Sequence, residues 1–170
     1  MAFQDRRPLR QLLARLLHVS DATTGDAWAW LGKRLSEPAW RGLLADFFGW
    51  RAHGGQQAPP GDWRTWLLMA GRGFGKTRAG AEWVSALARA HPGCRIALVA
   101  ATRDEAAKVM VEGPSGLLAV AQADEEMVWW PTRGVVAFAS GAEAFVYSAG
   151  APESLRGPEH HFAWCDELAK

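Results

Sequence analysis

The stretch Ala70-Gly71-Arg72-Gly73-Phe74-Gly75-Lys76-Thr77 limits what this chain can fold into more than any other. It has phosphate-loop spacing, with Ala70 where the first glycine usually stands. Gly71, Gly73 and Gly75 let the backbone turn sharply and aim its N–H groups, with those of Arg72 and Phe74, at a single anion. The apolar run Trp63–Ala70 before it reads as a short strand, and Lys76–Ala90 after it reads as a helix closed by His91-Pro92-Gly93. Such a helix turns its positive end toward phosphates. Lys76 then supplies a point charge to the β and γ phosphates of ATP, and the Thr77 hydroxyl supplies a ligand for Mg²⁺. A strand on one side and a helix on the other separate this pattern from a glycine-rich turn that happens to contain Gly-Lys-Thr.

A P-loop needs a second carboxylate site for its metal. The apolar run Phe162–Cys165 reads as a buried strand, and it leads directly into Asp166 and Glu167. Asp166 at the strand's C-terminal edge would hold Mg²⁺, and Glu167 would orient and deprotonate the attacking water. An isolated Asp-Glu pair is more often an ordinary acidic helix start. Here Lys76 lies ninety residues upstream of Asp166, and the apolar strand Arg95–Ala101 intervenes. That order fits the inserted-strand, catalytic-glutamate class of P-loop proteins. It predicts an α/β fold with a mainly parallel sheet.

The rest of the chain is consistent with one soluble domain and a helical extension. Helical spacing predicts helices over 8–18, 25–34 and Ser36–Trp50, which makes residues 1–50 a helical N-terminal extension and leaves 51–170 as the P-loop domain. Residues 52–62 read as a loop. A helix is expected over Asp104–Val111, started by Thr102 or Asp104, and a shorter one around 115–122. Trp129–Ser140 and Ala142–Ser148 read as a hairpin across Ser140-Gly141. The 170 residues carry 19 Lys and Arg against 18 Asp and Glu, so the chain is not a polybasic coat for nucleic acid. Two distant cysteines, Cys94 and Cys165, exclude a disulfide-stapled secreted scaffold and suit reduced cytosolic thiols. No apolar run reaches the ~20 residues of a membrane span, and no secretory signal follows Arg6 and Arg7.

Weaker candidates remain open. Arg72 could meet the γ-phosphate or an acidic neighbour, or simply stand exposed at the loop tip. Gln57 could hydrogen-bond an adenine edge or be a solvated loop residue. Arg156-Gly157 reads as a plain turn. Adjacent His160 and His161 point apart on an extended chain and do not make a metal site. Most of the ten tryptophans read as packing residues, and Trp129-Trp130-Pro131 could equally stack a base.

Four separated segments, from about Trp50 onward, resemble the large terminase subunit of tailed bacteriophages, especially the version in prophages and gene transfer agents. They are Gln57–Trp63 with Trp66–Trp83, Ala101–Ala106, Glu153–Pro158 and Trp164–Lys170. The resemblance implies an ATP-driven motor that moves double-stranded DNA through a portal protein into a capsid. It implies a small terminase subunit as partner, a homo-oligomeric ring, and a place in the bacterial cytoplasm. It marks Gln57 as part of the adenine-contacting segment and Arg72 as the residue coupling nucleotide state to movement. It also leads us to expect a chain ending at the acidic strand, without the family's coupling motif and RNase H-like nuclease domain. A DExx-type helicase or a non-hydrolysing nucleotide-binding remnant are the alternative readings.

Overall fold

The computed structural model describes Ser36 and residues 52–122 and 125–167. Exposed Ser36 apart, these lie in the second of the two units into which the chain divides, Ala52–Lys170. The helices expected over 8–18, 25–34 and Ser36–Trp50 fall outside the described residues.

The centre of the fold is β1 (Arg95–Ala100), whose last five residues are all buried. Its sequence, Arg-Ile-Ala-Leu-Val-Ala, carries no polar residue after the first, as a strand covered on both faces requires. Two strands flank it in parallel: β4 (Glu143–Ser148) on one side and β5 (Phe162–Cys165) on the other. Antiparallel β3 (Val135–Phe138) and β2 (Met127–Trp130) extend the sheet beyond β4, giving the order β2-β3-β4-β1-β5. The sheet is therefore mixed, with a parallel core and an antiparallel margin.

Helix α1 (Lys76–Ala90) covers one face of this core together with α2 (Arg103–Glu105), the π-helical turn Ala106–Val111 that continues it, and α3 (Leu117–Val120). Thr102 starts α2, its Oγ1 accepting from the Glu105 N–H at 3.1 Å. The wide turn that follows closes with the Glu112 N–H donating to the Ala107 carbonyl at 2.9 Å, and it turns the consecutive Met110 and Val111 both inward. On the opposite face the half-buried Phe145 and Tyr147 carry His160 edge-on, with ring centroids 5.8 and 5.2 Å away. The Arg95 guanidinium lies 4.8 Å above the Phe145 ring.

Two sequence expectations are corrected. Trp63–Ala70 is no strand of this sheet. It alternates half-buried and exposed residues only from Trp66 onward, and it docks on α1 through Trp63 and Trp83, centroids 6.2 Å apart. Leu67 and Met69 are left 74% and 83% exposed, so the run's apolar composition misrepresents its burial. The long strand expected over Trp129–Ser140 is broken by a turn at Pro131–Gly134, where the Gly134 N–H donates to the Trp130 carbonyl at 2.8 Å. Proline cannot donate to a ladder, so the chain folds there into a second hairpin.

The helix comes unusually near the sheet at one point. The buried face of α1 is made of small residues, Ala79, Gly80, Ala81, Ser85 and Ala88, with Val84. A Cβ on Gly80 would overlap the Trp164 indole, which is itself buried in β5. Replacing a mid-helix glycine by alanine ordinarily stabilises a helix by about 1 kcal/mol. Gly80→Ala is expected to do the reverse, costing about 1–3 kcal/mol through overpacking. Urea denaturation checks the sign, and a stabilised variant would contradict the described contact.

Candidate functional site

The glycine-rich loop ends on Gly75, the residue before α1, in the left-handed conformation at φ 84°. Only glycine adopts this easily, and a Cβ here would also overlap the Gln56 side-chain amide. The helix start has no side-chain cap, and its first amides have no partner within the helix. Lys76 turns back over the loop, its Nζ donating to the carbonyls of Ala70 at 2.9 Å and Gly71 at 3.1 Å. Gly71, Arg72 and Gly73 are exposed at the tip. Phe74 is half-buried and meets the His53 ring edge-on, centroids 4.5 Å apart.

Strand periodicity brings the second half of the site to the first. In β5, Phe162 and Trp164 face α1, so the next residue in that alternation, Asp166, falls on the same side. The ladder continues this far, with the Asp166 N–H donating to the Val99 carbonyl at 2.9 Å. The Thr77 hydroxyl then reaches the Asp166 carboxylate, Oγ1 donating to Oδ2 at 3.2 Å. Gly80 stands one helical turn after Thr77, so the close approach at Trp164 is what lets this hydrogen bond form. Two hard oxygen atoms this close suit a divalent cation such as Mg²⁺, while the helix start and the lysine beside them suit an anion.

Glu167 follows at φ 47°, the one non-glycine residue with positive φ among those described. Such a conformation costs on the order of 1–3 kcal/mol and concentrates at functional sites. It turns the exposed Glu167 out of the strand alternation that Asp166 obeys. Both carboxylates line a cavity of about 150 Å³ with Thr77, Glu105 and Met110.

Residues 67–170 match the family described as "Terminase large subunit, T4likevirus-type, N-terminal". The chain belongs to this family. The fold is also similar to that of the large terminase ATPase domain of Thermus phage P74-26, at 20% identity with a TM-score of 0.52. That similarity covers 77% of this chain, which spans 57% of the other. No curated protein matches the sequence.

Within this terminase chain, the structure brings Thr77, Asp166 and Glu167 together around one cavity, while the Lys76 side chain stays on the loop carbonyls. It leaves other candidates apart. Arg72 makes no hydrogen bond or ion pair among the described residues. Gln57 is half-buried and its side chain makes no hydrogen bond there either, whereas its neighbour Gln56 is 7% exposed and bonds the loop directly. Arg156 and Gly157 are exposed after a turn of 3₁₀ helix, Pro152–Leu155. Trp129 packs against the core and donates its indole N–H to Glu112 at 2.7 Å, while the Arg133 guanidinium lies 4.9 Å over the Trp130 ring. His160 faces Tyr147, its Nε2 3.1 Å from the phenol oxygen, and His161 Nδ1 accepts from the Arg95 N–H at 3.0 Å. Burial first, and the charges of Arg95 and His161 second, hold His160 below the usual imidazole range. No cluster of three His, Cys, Asp or Glu residues able to hold a metal occurs among the described residues.

Sequence reading misses Gln56 and Glu105, and only a structure could reveal them. A side chain bonding a distant backbone carbonyl leaves no periodicity, and Glu105 reads as an ordinary first-turn acid. The pairing of Thr77 with Asp166 is open to direct measurement. A double-mutant cycle of Thr77→Val and Asp166→Ala in urea denaturation should return a coupling of about 1 kcal/mol. Additive single effects would mean that the two side chains do not meet.

Proposed function

We propose that this chain is the ATP-hydrolysing part of a viral DNA-packaging motor, a P-loop ATPase of the inserted-strand, catalytic-glutamate class. The observation that carries the reading is the Thr77–Asp166 hydrogen bond. It joins the helix after the glycine-rich loop to the end of an acidic strand, which are the two metal-holding halves of a P-loop site. Membership of the terminase family favours this over the helicase reading.

The loop amides of Gly71 to Gly75 and the start of α1 bind the phosphate chain of ATP, Lys76 leaves its loop carbonyls for the β and γ oxygens, and Phe74 flanks the nucleotide. Thr77 and Asp166 hold Mg²⁺. When bound, that ion neutralises charge shared between the β and γ phosphates. Glu167 accepts a proton from water as the water oxygen bonds the γ-phosphorus in line. The bond from that phosphorus to the β–γ bridging oxygen breaks, and its electron pair leaves with ADP. Lys76 and the loop amides stabilise charge growing on the transferred group. Arg72, exposed at the tip, meets the γ-phosphate and couples its loss to movement. Gln57 belongs to the segment assigned to adenine. The cargo is double-stranded DNA, and the partners are a portal protein, the small terminase subunit and further copies in a ring. The motor works in the host cytoplasm, and no helix among the described residues is long and apolar enough to cross a membrane.

Two substitutions test the roles. Lys76→Ala should lose ATP binding, measured by calorimetric titration, because its charge touches phosphate in both ground and transition states. Glu167→Gln should bind ATP as the parent does and hydrolyse it ~10²–10⁴-fold more slowly, since glutamine keeps the shape but accepts no proton. Parental turnover in Glu167→Gln would remove the acidic strand end from the mechanism. Binding without any turnover in the parent, with or without DNA, would favour a nucleotide-binding remnant.

A further inference from the structure

We infer that Gln56 is a positioning residue that aims the anion-binding amides of the glycine-rich loop. The inference rests on the nucleotide site proposed above and concerns how that site is kept in shape.

Gln56 closes a short 3₁₀ turn, Gly54–Gln56, far from the loop in sequence yet buried against it. Its Nε2 donates to the Phe74 carbonyl at 2.8 Å and to the Gly75 carbonyl at 3.4 Å. Its Oε1 accepts from the His53 N–H at 3.1 Å, which fixes which way the amide faces. A glutamine amide has two N–H donors, and both are engaged by the loop.

Engaging those two carbonyls has a directional consequence. In a planar trans peptide the C=O and the following N–H point to opposite sides. Holding the Phe74 carbonyl toward Gln56 sends the Gly75 N–H the other way. Holding the Gly75 carbonyl, which also accepts the first helical bond from the Ala79 N–H at 2.9 Å, does the same for the Lys76 N–H. Both donors then face away from Gln56, on the side left for an anion. Released from Gln56, the Phe74 carbonyl is free to rotate toward the anion and present a partial negative charge to it. The absence of a Cβ on Gly75 fits this role, because one would displace the Gln56 amide. On its far side Phe74 is held by the His53 ring, from the residue that also orients Gln56.

The experiment measures calorimetric binding of inorganic tripolyphosphate, ATP and GTP, each with Mg²⁺, to the parent, Gln56→Ala, Gln56→Glu and Lys76→Ala. Thermal midpoints without ligand are taken alongside. Glutamate matches glutamine in size but faces both carbonyls with a carboxylate that cannot donate. The expected result is a common loss of about tenfold for all three ligands in both Gln56 variants, with the ATP-to-GTP ratio of the parent retained. Parental tripolyphosphate binding with weakened ATP binding would make Gln56 a base-reading residue and overturn the inference. So would parental binding of all three ligands, or unfolding of both Gln56 variants, which would make the residue a general structural support. If Gln56→Ala alone unfolds, Gln56→Glu decides between these outcomes. Failure of the parent to bind any of the three, or parental binding by Lys76→Ala, would count against the nucleotide site itself. Loss in Lys76→Ala with no loss in the Gln56 variants would count against the positioning role alone.

Discussion

The site depends on how near α1 comes to β5, and one contact sets that distance. Gly80 lies against the Trp164 indole with no room for a methyl group between them. A turn earlier on the same helix, Thr77 reaches the carboxylate that follows the same strand. Moving the helix out by the width of a methyl group would break that hydrogen bond while leaving both elements intact. The small residues along the buried face of α1 therefore do more than fill space. They set the geometry of two oxygen atoms that stand 89 residues apart in sequence.

The parallel core supplies the rest. β1 is paired on both edges, and its carbonyl at Val99 receives the Asp166 N–H just past the end of β5. This places the acidic residues at the C-terminal ends of parallel strands, where open α/β sheets commonly bind their ligands. Rigidity at Asp166 is followed at once by the left-handed turn at Glu167. One carboxylate is held by the ladder, and the next is turned out of it into the same cavity. Under the proposed function the two would divide the work accordingly, one fixing a metal and the other handling a proton.

Much of this was legible in the sequence where local pattern and tertiary packing agree. Lys76–Ala90 is helical over the expected span, since a glycine turn starts it and His91-Pro92-Gly93 ends it. Phe162–Cys165 is a strand as its run of apolar residues predicts. Trp63–Ala70 carries the same kind of pattern and fails, because a strand also needs a hydrogen-bonding neighbour and sequence does not supply one. Pro131 and Gly134 mark a turn that the longer apolar run around them conceals. At the loop, glutamine chemistry points to residue 57 on the strength of family resemblance, while the hydrogen bonds to the loop come from residue 56. A shift of one position along an irregular segment leaves no periodic trace.

The central claim is that the glycine-rich loop and the end of β5 form one ligand site. Hydrogen–deuterium exchange of the chain with and without saturating Mg²⁺–ATP tests it most directly. Slowed exchange is expected for amides in 71–77 together with those at 166 and 167, with β2 and β3 unchanged. Protection confined to the loop, or located in β2 and β3 instead, would contradict the claim.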